Sequence, residues 1–219
     1  DSSEDFKEKV ESGDFEYLGL EPKVVYQDDD LLVLSKPEGL VVHPGKGVSL
    51  ESTLVGWLLK AELLKNAANE IWSDELIEHQ RIGIVHRLEK VTSGLMLVAR
   101  NYSTHRKLTE AFSEKKIQRF YWAIVPSRIE RISSRRPKFL EDLLLEKWAA
   151  LKIDSLGVHS LITQHGRHSN NPLKFSSLKR LAKKAVSHWK ITSRCQSHSL
   201  LDFRLETGRT HQIRVHLST

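Results

Sequence analysis

The sequence has almost no cysteine. Its one thiol, Cys195 in 219 residues, excludes an internal disulfide framework and fits a reducing compartment. Long apolar runs are missing as well: none approaches the length of a membrane span, and no signal-peptide pattern opens the chain. Metal-site spacing is also absent. His159, His165 and His168 match no compact zinc pattern and have no cysteine nearby, while His211 and His216 stand five apart and point away from each other on a helix. Core material is not lacking. With 39% apolar residues the chain is expected to be globular rather than disordered. It opens on Asp1 and stops at Thr219, so a fragment at both ends is the expectation.

Charge is plentiful and segregated. The net charge is +6, yet residues 1–30 hold eleven acids and three lysines, whereas residues 128–190 hold fourteen Lys and Arg against five Asp and Glu. A basic stretch of this kind favours a polyanion-binding face, because each neutralised phosphate releases counterions, and nucleic acid is the polyanion that fits best. Many of these lysines also serve as ordinary solvated surface.

Local patterns divide the chain. Residues 1–22 are acidic and weakly periodic, and read as a linker or strap. Lys23–Tyr26 and Leu31–Ser35 read as a buried hairpin across Asp28-Asp29-Asp30, closed off by Lys36-Pro37. Gly39–Gly47 mixes apolar residues with Pro44 and three glycines, which predicts a sharp turn, and His43 within it reads as structural. Ser52 is the expected cap of a helix over about 53–64, and Ser103 of a second helix to about Lys115. Gln118–Val125 reads as a strand with Arg119, Tyr121 and Ala123 on one face. Residues 127–178 lose clear periodicity apart from Phe139–Leu151, an amphipathic helix pattern, and are expected to form a basic insertion in a domain spanning 23–219. Lys183–Thr192 and Leu200–Glu206 predict a hairpin, and Thr210 is the expected cap of a last helix.

The densest stretch is Ile84–Arg100, IVHRLEKVTSGLMLVAR. His86, Arg87, Glu89 and Lys90 precede Thr92-Ser93-Gly94 and an apolar run, Leu95–Ala99, that reads as a buried strand. A carboxylate and a guanidinium therefore stand at the mouth of a core element, where chemistry is commonly placed. A solvated ion pair between Arg87 and Glu89 accounts for the same letters equally well.

Three ordered segments together resemble the RluA-type, large-subunit branch of the pseudouridine synthases. VHRLEKVTSGLMLVAR (Val85–Arg100) is similar to that family's HRLD followed by TSG; Arg119-Phe120-Tyr121 is similar to its basic residue, spacer and tyrosine; and TGRTHQIRVHL (Thr207–Leu217) is similar to its third motif. KPEGLVVHPGKG (Lys36–Gly47) and AVSHW (Ala185–Trp189) add weaker support. The resemblance does not reach the acidic N-terminus or the 127–178 insertion.

That resemblance implies a mixed α/β fold with a central, largely antiparallel sheet, a cleft across it and flanking helices, with further strands expected beyond Thr219. It implies isomerisation of uridine to pseudouridine in structured RNA, rRNA or tRNA, with no cofactor and no metal. A cytoplasmic monomer, or one in an RNA-containing organelle, is the expectation. Glu89 corresponds to the catalytic carboxylate and Arg214 to the arginine that pairs with it. Tyr121 corresponds to the residue that packs on the flipped base and shares in proton transfer. Ile213 corresponds to an apolar pocket contact and Arg87 to the side chain that fills the vacated space in the RNA. Arg209 and the basic stretch are candidates for phosphate contacts.

One letter departs from the pattern. Where the family has Asp, this chain has Glu89, which adds about 1.5 Å of reach. Either the pocket has receded to fit the longer side chain, or the protein binds RNA on the same fold with impaired turnover.

Overall fold

Alternation along Leu31–Lys36 sets the first sheet. The computed structural model describes residues 3–64, 72, 76, 77, 79, 81–126, 150–153, 155–168, 171–176 and 182–218, in two compact units, Asp1–Lys116 and Ile117–Thr219. In the first unit, β1 (Lys23–Gln27), β2 (Leu31–Lys36) and β3 (Gly94–Ala99) form an antiparallel sheet in that order. β2 is central and buries Leu32, Leu34 and Lys36 on one face. The expected hairpin forms, but β1 is an edge strand whose Val24, Val25 and Tyr26 are exposed rather than buried.

The acidic N-terminus takes more regular structure than its composition implied. Ser3–Ser12 is a helix, α1, that buries Phe6, and Lys9 is paired with Glu51 at 2.8 Å. Lys60 donates to the Gly13 carbonyl, while Phe15 is buried beneath the Lys60 ammonium. A few apolar anchors outweigh the polarity of the segment, because each fully buried phenylalanine contributes on the order of 2–3 kcal/mol.

α2 (Leu54–Lys60) is capped by Thr53, whose Oγ1 accepts from Gly56 N, and not by Ser52, which closes a preceding single turn of 3-10 helix, Leu50–Ser52. A side chain at Gly56 would run into the Leu50 carbonyl, so this helix start admits only glycine without rearrangement. α3 (Tyr102–Ser113) is capped by Asn101, two residues before the expected Ser103.

The second unit is a six-stranded antiparallel sheet, ordered β4 (Arg119–Pro126), β9 (His198–Leu205), β8 (Lys183–Arg194), β6 (His159–His168), β5 (Ala150–Ile153), with β7 (Asn171–Ser176) paired to β6. The span expected as an insertion thus supplies strands, and β6 bonds directly to β8 from His159↔Trp189 to His165↔Lys183. Most of the predicted helix at Phe139–Leu151 lies outside the described residues; its last two positions open β5. One face of the sheet buries Val125, Leu201, Phe203 and Leu205 beneath a short helix, α4 (Gln212–Leu217). The architecture is mixed α and β with antiparallel sheets.

Candidate active site

The Ile84–Thr92 segment is fixed by the free edge of β3. Ala99 N donates to Gly83 O at 2.9 Å, Ile84 bridges Val98, and Leu97 N donates to His86 Nε2 at 2.9 Å. β2 occupies the other edge, so β3 is hydrogen-bonded on both sides and its outer partner leads directly into Arg87. Because His86 Nε2 accepts a backbone proton, this ring is neutral, and it packs on Phe112 with centroids 4.7 Å apart. His105 Nε2 donates to Ile84 O from α3, at 3.1 Å.

Beyond that edge the chain turns sharply, with Leu88 buried and Thr92 N donating to Glu89 O at 3.0 Å. The turn is tethered through Lys90 O, which accepts from Gly39 N at 2.7 Å and from Lys36 Nζ at 3.5 Å. Lys36 Nζ donates also to Pro37 O and Leu40 O, at 2.8 and 2.9 Å. Period-2 alternation places this lysine with Leu32 and Leu34, so its ammonium must find acceptors inside the core. Burial pulls its pKa below the usual lysine value, and the nearby Glu38 opposes that. The Arg87 guanidinium is exposed and donates to His43 Nε2 at 3.2 Å, and Glu89 is half-buried.

In the second unit, Tyr121 and Ile213 both pack on the buried cluster of Val125, Leu201, Phe203 and Leu205. Tyr121 stands opposite Phe203, as strand alternation requires. The Thr207–His211 turn is held by Gln212, whose buried amide is fully bonded. Its Oε1 accepts from Thr207 Oγ1 at 2.8 Å and Arg209 N at 3.0 Å, and its Nε2 donates to Val186 O at 3.0 Å and Ser187 Oγ at 2.9 Å. Arg209 Nε donates to Lys184 O, and a side chain at Gly208 would collide with the Arg119 guanidinium. The residue before α4 is His211 in the left-handed conformation (φ 57°), not Thr210; the Thr210 carbonyl accepts instead from His165 Nε2 at 2.8 Å. Arg214 is exposed and donates to His211 Nδ1 at 2.7 Å. Two buried histidines stand here, His216 on the helix itself and His165 on β6. Burial, with a contribution from His165, holds His216 down to about 4, and burial lowers His165 as well.

A family model described as RNA pseudouridylate synthase matches residues 30–219. The chain belongs to that family. Ribosomal large subunit pseudouridine synthase D of Neisseria meningitidis serogroup B is 36% identical over 194 residues, covering 89% of this chain and 42% of that protein. The same-named protein of Buchnera aphidicola is 37% identical over 194 residues, covering 89% of this chain and 50% of that protein. The chain spans about half the length of these curated relatives. Among solved structures, human RNA pseudouridylate synthase domain containing 1 superposes with a TM-score of 0.58 at 18% identity, over 90% of this chain and 64% of that one. Human domain containing 4 gives 0.53 at 23%, over 89% and 63%. These likenesses show the fold.

For a pseudouridine synthase domain, the sequence motifs fall on two built features. Arg87 and Glu89 share the tethered turn of the first unit; in the second, Tyr121 and Ile213 pack on one buried cluster, Arg209 stands in the turn before α4, and Arg214 is exposed on α4. No group of three side chains suited to a metal occurs among the described residues. His43 reads as structural from the sequence, without its link to Arg87, and two further supporting residues escaped sequence reasoning, Lys36 and Gln212. Only Lys36 left a signal, its even spacing from Leu32 and Leu34, and a lysine at such a position is ordinarily read as solvated.

Proposed function

We propose that the protein containing this chain isomerises uridine to pseudouridine in ribosomal RNA. The bond between the ribose and N1 of uracil breaks, the base turns, carbon 5 bonds to the anomeric carbon, the proton on carbon 5 leaves to solvent, and N1 takes one up. Glu89, Tyr121 and Arg214 form the catalytic set, and Arg87, Arg209 and Ile213 contact the RNA. The supporting observation is the family match across residues 30–219, with relatives named for the large ribosomal subunit.

The roles follow from chemistry. A carboxylate in a desolvated pocket suits attack at the anomeric carbon or removal of a sugar proton. A stacked uridine cannot reach it, so the base is flipped out and a planar guanidinium, that of Arg87, fills the gap while still bonding phosphate. The test is release of tritium from carbon 5 of uridine in ribosomal RNA transcripts incubated with the full-length protein. Turnover supports the reading, and its absence from correctly folded protein overturns it.

A second reading is favoured by one residue. Glu89 in place of Asp fits an RNA-binding protein that has lost turnover. In that case RNA binds, no tritium is released, and Glu89→Asp restores release.

A further inference from the structure

We propose that His43 is a positioning residue for Arg87, holding the guanidinium in the plane it needs to enter the RNA. The inference rests on the role given to Arg87 above and adds the residue that orients it. Arg87 is exposed, and a free arginine at such a site samples many rotamers whose entropy must be surrendered on insertion. A single well-directed acceptor, itself immobile, removes much of that cost.

His43 meets both conditions. Its Nδ1 lies 2.9 Å from the Pro44 carbonyl, which can only accept, so Nδ1 carries the proton. Nε2 is then a bare lone pair, and 3.2 Å away stands Nη1 of Arg87, which can only donate. The two partners fix the tautomer without ambiguity. The ring is also immobile, because the chain on either side of it is pinned. Val41 O and Val42 O accept from Leu54 N and Val55 N at 2.9 and 3.0 Å, satisfying two of the donors that the start of α2 leaves open. Gly45 and Val48 exchange backbone hydrogen bonds, and Val42 and Pro44 are buried. On the other side, Arg87 lies between His86, locked to Leu97 N, and buried Leu88. One of five guanidinium protons is engaged by His43, and among the described residues no other hydrogen bond takes the remaining donors, which suit phosphate.

The contact requires a neutral ring. Protonation would place an N–H against a guanidinium, and the charged groups facing His43, Arg81 and Arg87, are both cationic. Burial lowers the His43 pKa, the bond to the Pro44 carbonyl opposes it and the two arginines add to the lowering, so the acceptor is intact at neutral pH and is lost only in acid.

The test uses full-length protein in two arms. The first is histidine ring NMR titration: His43, assigned with His43→Gln, titrates below the ordinary value and moves up toward it in Arg87→Ala. An unchanged titration in Arg87→Ala overturns the contact whether or not the protein turns over. The second arm follows tritium release from a ribosomal RNA transcript. His43→Ala lowers kcat/KM by about tenfold, the size expected when one charge-assisted hydrogen bond is lost. His43→Gln, whose amide oxygen reaches the Nε2 position, restores most of it and removes the acid limb of the pH profile. In an Arg87→Ala background, His43→Ala costs nothing further. Equal losses with and without Arg87 overturn the proposal. If the wild type shows no turnover, the proposed activity fails, and the titration arm still decides the positioning role.

Discussion

The ammonium of Lys36 donates to the carbonyl of Leu40 at 2.9 Å inside the core of the first unit. That bond, with those to Pro37 O and Lys90 O, ties the end of β2 to the turn carrying Glu89. Lys36→Met keeps the volume and removes the donor, leaving buried carbonyls without a partner. The expected cost is about 1–3 kcal/mol of stability. It is read as a lower urea midpoint with an unchanged slope, and an unchanged midpoint contradicts the role.

Gln212 offers a sharper case, because its amide uses both donors and its oxygen accepts twice. Gln212→Glu keeps the shape and the acceptors but points a carboxylate at Val186 O and Ser187 Oγ. Burying that unmatched charge costs about 3 kcal/mol at neutral pH. Part of the loss is recovered in mild acid, where the protonated carboxyl regains one donor. Chemical denaturation at two pH values measures both effects.

Much of this scaffold was legible in the sequence, and the exceptions have physical reasons. Strands β2, β3, β4, β8 and β9 announce themselves because apolar residues fill most of their buried positions, Lys36, Ser187 and Ser199 being the polar ones. β6 does not, since its inward positions hold Thr163 and His165 beside Leu161. Thr163 Oγ1 bonds His216 Nε2 and His165 Nε2 bonds the Thr210 carbonyl, partners far away in sequence. Helix caps were misplaced by one or two residues wherever several side chains could serve: Thr53 beside Ser52, and Asn101 beside Ser103. The site residues were legible as motifs, but what orients them was not. His43 and Arg87 are 44 positions apart, and nothing local in either stretch announces the other.

The buried histidines make the second unit sensitive to acid. His216 titrates at about 4, below the ordinary value near 6.5, so the unfolded chain binds more protons between those limits. Stability contributed by the neutral ring is complete above about pH 6.5, falls as pH drops towards 4, and levels off below it. The full change is on the order of 3 kcal/mol. His216→Gln retains an amide that can bond Thr163 Oγ1, 2.9 Å from Nε2, and cannot titrate. Its stability is expected to vary less across this window than that of the wild type, as measured by urea unfolding at pH 7 and pH 4.5. Equal pH dependence in the two proteins would assign the acid response elsewhere.

Glu89 carries the chemical prediction. Its backbone is held at two successive carbonyls: Glu89 O accepts from Thr92 N, and Lys90 O accepts from Gly39 N and Lys36 Nζ. A tethered turn cannot slide to compensate for a change in side-chain length, so reach is set by the residue itself. Glu89→Gln removes the charge at constant length and is expected to lower single-turnover tritium release by at least about 10²-fold. Glu89→Asp keeps the charge and withdraws it by about 1.5 Å, and an enzyme fitted to glutamate loses roughly 10²-fold. A pocket still shaped for aspartate reverses that order, with Glu89→Asp faster than the wild type. The sign of this one comparison therefore separates a site that has adapted to the longer carboxylate from one that has lost its catalytic fit.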